Sequence, residues 1–293
     1  YSMLLTFLKL FAWLPLPLLH ALAHPVGWLL YGLQTRQRYY TETNLALCFP
    51  ELSATERRRL TRGSLIETVK VLLEYPLLFL GRGNRVLNLV REVSGESLLK
   101  QGLARGKGVI ALVPHLGNWE VTNLYTSRHY AITSMYRPQR HPGMDTIFKQ
   151  GRERFGAQLV PSNNKGMRDL LRSLQQGKLI GALPDQNPGT GTGVFVPFFG
   201  VNTYTPVFAG RLANRTGASV VMVVAERLPW GRGFRIKFTP ASESIYSADN
   251  NEAATGINRD LENIIRANPV QYWWSYNRFR TRPEGEAPLY RSK

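Results

Sequence analysis

The sequence predicts an α/β fold: a mixed, largely parallel central sheet flanked by helices, with an apolar, membrane-associated helical segment at its N-terminus. Three observations predict it. From residue 108 onward, short apolar runs bounded by Gly and Pro alternate with stretches of helical periodicity. Residues 55–80 read as one long basic helix before that alternation begins. Residues 3–33 contain no acidic residue, and their only Lys or Arg is Lys9. A chain of 293 residues buries a substantial core. The expected division is an N-terminal membrane segment, 1–34, and a main domain, 35–293.

The first segment has the length of a membrane span, which needs about 20 apolar residues. Pro15, Pro17 and Pro25 oppose an unbroken helix, because each removes a hydrogen bond and kinks the chain. Trp13, Trp28 and Tyr31 are ring types that favour membrane interfaces, and Arg36 and Arg38 follow directly, as on a cytoplasmic flank. A full span, an interfacial helix and an apolar hairpin packed on the domain all fit. A signal peptide does not: the run is too long and lacks a small-residue cleavage site. The chain begins at Tyr1 rather than Met, which leaves room for residues before it.

The helix over 55–80 has Leu60, Leu65, Ile66, Val69, Leu72 and Leu73 at helical spacing, with charged residues between them. GVIALVP (108–114) is a short apolar run bounded by Gly and Pro, hence a buried strand. Further strands are expected at 132–136, 157–161, 178–184, 219–226 and 234–238. Helices are expected at 143–155, 164–176, 205–216 and 251–267.

The first strand runs into HLGNWE, residues 115–120. In open α/β sheets, sites lie beyond the carboxyl ends of strands. A His there can act as general base, and a nearby carboxylate can fix its tautomer. Residues five apart on a helix point roughly 140° apart. His115 is therefore expected in a turn eased by Gly117, with Glu120 in the first helical turn. A helix cap next to a core histidine fits the same residues equally well.

HLGNWE after a buried strand resembles the His-X4-Asp/Glu motif of the glycerolipid acyltransferase superfamily. Nearly the whole chain resembles the late acyltransferases of lipid A biosynthesis, the lauroyl and myristoyl transferases. The blocks that carry the resemblance are NLALCFPEL (44–52), GVIALVPHLGNWE (108–120), MYRP (135–138), GRERFG (151–156), LPDQN (183–187) with VFVPFFG (194–200), and NPVQYWWSYNRFRTRP (268–283). Pro114 stands where a small residue is common, and Ser275-Tyr276 where a His-bearing pair is usual.

The resemblance implies transfer of an acyl chain from acyl carrier protein to the hydroxyl of a 3-hydroxyacyl chain on a lipid A precursor, without a cofactor or metal. It implies His115 as base, oriented by Glu120, and location at the bacterial inner membrane with the catalytic domain on the cytoplasmic face. Arg152 is the candidate catalytic cation; Asp185 and Gln186 are candidates for support around the site, and Asn118 for a donor. Arg152 on a helix surface and Asp185 as a turn former are the plainer readings. Arg137 can meet phosphate or only snorkel. Arg278, Arg280 and Arg282 would share one face of an extended segment and meet anionic sugar, phosphate or acidic carrier protein. VFVPFFG suits either an acyl-groove wall or plain core.

Composition agrees with such partners. Lys plus Arg is 37 against 20 Asp plus Glu, a net charge of +17. That balance favours polyanions: acidic protein, anionic lipid or nucleic acid. One cysteine, Cys48, excludes an intrachain disulfide, and the five histidines lack metal-ligand spacing. A nucleic-acid-binding module lacks any helix-turn-helix, RNP or zinc-finger signature and leaves the apolar N-terminus unexplained, so no nucleic-acid partner is expected. Two readings remain beside it: an acyltransferase acting on phosphatidylinositol mannoside or glycerol phosphate, and a membrane scaffold with an inactive enzyme fold.

Overall fold

The computed structural model describes residues 2–291. Residues 1, 292 and 293, at the outer ends of the two expected segments, lie outside the described residues. The apolar segment breaks where its prolines require. Helix α1 (Ser2–Trp13) ends before Pro15, which becomes the N-cap of α2 (Leu16–Gly32). Thr35 caps α3 (Arg36–Cys48), and Ser53 with Glu56 forms a reciprocal capping box on the long helix α4 (Ala54–Leu80).

Helix α2 buries Leu16, Leu19, His20, Ala23 and Gly27, the i, i+3, i+4, i+7 stripe of a packed helix. It lies on α4 at close range: a Cβ on Gly27 would stand 2.5 Å from Ile66 Cγ1, so only glycine permits this approach. The N-terminal segment is therefore packed onto the main domain along one face, while its other face leaves Leu18, Leu22, Val26 and Leu29 exposed. Among the described residues no single helix is long and apolar enough to cross a membrane; α2 and α3 pass by length and composition only as a pair bent by 81°.

After α5 (Gly83–Leu87) come β1 (Val90–Ser94), α6 (Glu96–Ala104), β2 (Val109–Leu112), α7 (Trp119–His129), β3 (Ile132–Tyr136), α8 (Pro142–Glu153), β4 (Gln158–Pro161), α9 (Asn164–Gln175) and β5 (Leu179–Ala182). The hairpin β6 (Gly193–Phe198) and β7 (Val201–Pro206) leads to α10 (Phe208–Thr216), β8 (Ser219–Arg227), β9 (Phe234–Pro240) and α11 (Asn250–Ala267).

Seven strands form one sheet in the order β1-β9-β8-β2-β5-β3-β4, and β6 and β7 form a separate antiparallel pair. Strands β8, β2, β5, β3 and β4 run parallel; β9 turns back on β8, and β1 follows β9. The expected mixed, largely parallel sheet flanked by helices is the observed one. Strand β2 is buried at every position, as its unbroken apolar run requires of a central parallel strand.

Two local expectations differ. The helix expected over 205–216 begins later, because Thr205 and Pro206 complete β7. Residues 278–282 are not extended: Arg280 N–H donates to Asn277 O at 3.3 Å in a turn, which sends the arginines in different directions. Arg278 is buried and Arg280 exposed. VFVPFFG resolves into core. Phe198 and Phe199 are buried, and Phe199 packs against Phe49 at 5.2 Å between ring centroids.

Candidate active site

The site forms where β2 and β5 end side by side. Leu112 pairs with Ala182 in parallel register, so the residues three positions beyond, His115 and Asp185, emerge together. One Asp185 oxygen accepts the His115 backbone N–H at 2.8 Å and the other lies 2.8 Å from His115 Nδ1. A carboxylate in that position requires the proton on Nδ1, which leaves the Nε2 lone pair free to take a proton. Burial pushes the Asp185 carboxyl up, but the charge of His115 and the hydrogen bonds from its ring and backbone outweigh this and hold it below the usual carboxylate range. Gln186 Nε2 lies 3.1 Å from His115 Nε2.

The His115 ring is boxed by tryptophans. Trp119 lies edge-on at 4.6 Å between centroids and Trp273 at 5.3 Å, and the two indoles stack on each other at 5.0 Å. Trp273 N–H also donates to His115 O at 2.9 Å, which ties the C-terminal segment to the turn after β2.

The turn from β2 into α7 depends on Gly117. Its φ is +61°, and a Cβ there would stand 1.9 Å from Ala225 O. Gly117→Ala is expected to cost at least about 2 kcal/mol of stability and to abolish activity, since the strained turn carries His115 on one side and Asn118 on the other. Thermal unfolding in detergent, run beside an acyl-transfer assay, checks both effects.

Asn118 is the N-cap of α7: its Oδ1 accepts Glu120 N–H at 3.1 Å, while its Nδ2 donates to Glu74 at 2.7 Å. It is fully buried, and its side chain braces the turn against α4. Glu120 is buried in the first turn of α7, where sequence reasoning put it, but its partner is Arg152 of α8. Arg152 Nε donates to Glu120 at 2.8 Å, and Nη2 bonds the other carboxylate oxygen. The carboxylate on the His115 ring is thus Asp185, and Glu120 anchors a guanidinium. Burial works against the Arg152 charge, but the Glu120 charge and hydrogen bonds outweigh it and raise its pKa above the ordinary arginine value. Arg152 also lies over the Tyr136 ring at 5.4 Å.

Two cavities meet at these residues. An inner pocket of about 130 Å³ runs between α7 and the sheet and is lined by Ile132, Thr126, Leu159 and Ala182 as well as His115, Trp119 and Arg152. An outer cleft of about 940 Å³ shares His115, Trp119 and Arg152 and extends past Phe79 and Tyr75 of α4 to Leu8 of α1. Its rim carries Arg137, Arg140 and His141. Both arginines are exposed and have no side-chain partner among the described residues.

The remaining expected residues lie elsewhere. Arg278 is buried beneath the loop that follows Asp185, donating to Asn187 Oδ1 at 3.1 Å, Tyr204 O at 2.7 Å and Thr205 Oγ1 at 3.1 Å. These bonds leave it a brace for the 185–187 loop rather than a substrate contact. Arg280 is exposed and lines neither cavity. Sequence reasoning missed Glu74, Tyr75, Arg140 and the Trp119–Trp273 stack. Their one signal was an acid and a tyrosine within the apolar end of α4 and tryptophans inside two of the resemblance blocks.

The family model described as bacterial lipid A biosynthesis acyltransferase matches residues 1–281. The lipid A biosynthesis palmitoleoyltransferase of Escherichia coli (strain K12) is 30% identical over 97% of this chain and 92% of its own length. The lauroyltransferase of the same organism is 28% identical over 94% and 90%, and its myristoyltransferase 28% identical over 85% and 77%. Fold and match together define an acyltransferase. The chain belongs to the bacterial lipid A biosynthesis acyltransferase family.

Proposed function

We propose that the chain transfers an acyl group from acyl carrier protein to the hydroxyl of a 3-hydroxyacyl chain on a lipid A precursor, forming an acyloxyacyl ester at the cytoplasmic face of the inner membrane. One observation carries the mechanism: Asp185 holds His115 Nδ1, so Nε2 is the base. Nε2 takes the hydroxyl proton, and the oxygen attacks the thioester carbonyl. The C–S bond of the tetrahedral intermediate then breaks, and the imidazolium returns the proton to the departing thiolate. A thioester is already activated, so no acyl-enzyme is required.

The inner pocket is apolar enough for the donor chain and the outer cleft large enough for a second lipid. Arg137 and Arg140 on the rim suit the phosphates of the acceptor, and Arg152 supplies positive charge beside the reacting carbon. Gln186 occupies the place on Nε2 that the hydroxyl would take, so substrate must displace it. The net charge of +17 suits an acidic carrier protein and an anionic leaflet, where each Lys or Arg contributes about 1 kcal/mol.

The test is transfer of labelled acyl groups from acyl carrier protein to a purified lipid A precursor in detergent. Wild type is expected to form product and His115→Ala to lose about 10²–10⁴-fold in rate while remaining folded. Full activity in a folded His115→Ala protein overturns the mechanism. Transfer to a glycerol phosphate or mannoside acceptor alone overturns the acceptor.

A further inference from the structure

The loop between β8 and β9 presents a tryptophan that the fold does not use. Trp230 is 89% exposed. Its backbone is left-handed, with φ +61°, a conformation that costs a non-glycine residue about 1–2 kcal/mol. Among the described residues it has no aromatic or cationic partner. Its neighbour Gly231 anchors the loop instead: Gly231 is buried, and a Cβ there would stand 2.5 Å from Pro17 Cα at the start of α2. Trp230 is thereby fixed beside the junction of α1 and α2.

The outer face of α1 and α2, which begins at that junction, carries most of the exposed large apolar side chains among the described residues. Leu10 and Trp13 of α1 and Leu18, Leu22, Val26, Trp28 and Leu29 of α2 are all exposed. Cations border it: Arg82 lies over the Trp13 ring at 4.8 Å and Arg62 over Trp28 at 4.3 Å. Next to Trp230, Arg232 and Arg91 are both exposed, and Arg91 Nε donates to Arg232 O at 3.0 Å. Indoles and aliphatic side chains edged by guanidinium groups match one environment, the interface of an anionic bilayer.

We propose that Trp230 is a second membrane anchor, separate from the N-terminal helices, which inserts with Trp13 into an anionic lipid surface. The inference rests on the membrane reading above and adds a specific contact to it. Two attachment points fix orientation where one helix leaves rotation free. The β8–β9 loop lies at the end of the sheet where β2 delivers His115, and α1, which carries Trp13, also contributes Leu8 to the wall of the outer cleft. Anchoring there turns the mouth of the cleft toward the lipid that supplies its substrate.

The experiment labels the full chain with an environment-sensitive NBD probe at Trp230→Cys, the native Cys48 being buried, and adds vesicles of phosphatidylethanolamine with or without phosphatidylglycerol. The control site is Asn251→Cys. Asn251 is exposed near Tyr246, whose hydroxyl accepts Val220 N–H at 2.8 Å at the opposite end of β8. The expected result is a blue shift, and quenching by spin-labelled lipid, at 230 but not at 251, stronger with phosphatidylglycerol. Trp230→Ala is expected to bind these vesicles about tenfold more weakly with unchanged thermal unfolding. Vesicle binding with the probe at 230 still aqueous overturns the second anchor and leaves the membrane reading intact. Absence of vesicle binding by wild type overturns both. Equal response to vesicles lacking phosphatidylglycerol overturns the anionic preference.

Discussion

Asp185→Asn is expected to lower acyl transfer by about 10³-fold or more while leaving the fold intact. Asparagine keeps the shape of aspartate, so the turn after β5 and the bond to the His115 backbone N–H survive. The side-chain amide, however, can face Nδ1 with its NH₂ group. The favoured tautomer then carries its proton on Nε2, where the acceptor hydroxyl needs a lone pair. The charge is lost as well, so the imidazolium formed during the reaction is no longer stabilised.

Steady-state kinetics read the rate, and long-range ¹H–¹⁵N spectra of the five histidines read the tautomer. A purely structural role for Asp185 would change the rate without changing the His115 tautomer. Glu120→Gln makes the contrast: it weakens the hold on Arg152 but leaves the His115 tautomer as in wild type. A changed tautomer in Glu120→Gln with a normal one in Asp185→Asn would restore Glu120 as the orienting carboxylate and sink the present assignment.

The difference between these two acids marks the limit of what the sequence could say. The run GVIALVP is apolar throughout and bounded by Gly and Pro, so β2, and His115 beyond its end, could be read directly. Residue 185 follows a strand of the same kind. Which two strands are neighbours is decided by topology, and no local pattern encodes that β2 and β5 pair in register. The separation along the chain therefore favoured Glu120, five residues from His115, over Asp185, seventy residues away. The three arginines near the C-terminus posed a similar problem. An alternating pattern implies one face only if the segment is extended, and the turn at 277–280 removes that premise. The hairpin β6–β7 was hidden for another reason: Pro197 lies inside β6 and Pro206 ends β7, where prolines argue against a strand, so helix and strand readings overlap at 205–206.

Glu74 is expected to be the most costly surface-inaccessible charge to remove, at about 3–5 kcal/mol for Glu74→Ala. It lies in the apolar end of α4 and is wholly buried. Three side chains converge on it through four bonds: Arg227 through Nε at 2.7 Å and Nη2 at 2.6 Å, His20 Nε2 at 2.6 Å, and Asn118 Nδ2 at 2.7 Å. These come from the end of β8, from α2 and from the turn that carries His115, so one carboxylate ties the N-terminal helices to the base of the candidate site. Burial pushes the Glu74 carboxyl up, but the Arg227 charge and the bonds from His20 and Arg227 outweigh it and bring the pKa down to about 2. A folded-state value below the unfolded one, near 4.3, means that this stabilisation is complete above about pH 4.3 and fades as pH falls toward 2. Glu74→Ala leaves Arg227 charged and buried with Glu67, at 3.3 Å, as its one acidic partner among the described residues. Thermal unfolding in detergent measures the loss, and its pH dependence between about 5 and 3 should be shallower in the variant than in wild type. The double variant Glu74→Leu/Arg227→Met should lose less stability than Glu74→Leu alone, because no unpaired buried charge remains. Its acyl transfer should stay impaired, since Asn118 has lost the acceptor that holds the turn carrying His115. Recovery of activity together with stability in the double variant would show that the carboxylate serves only the core and not that turn.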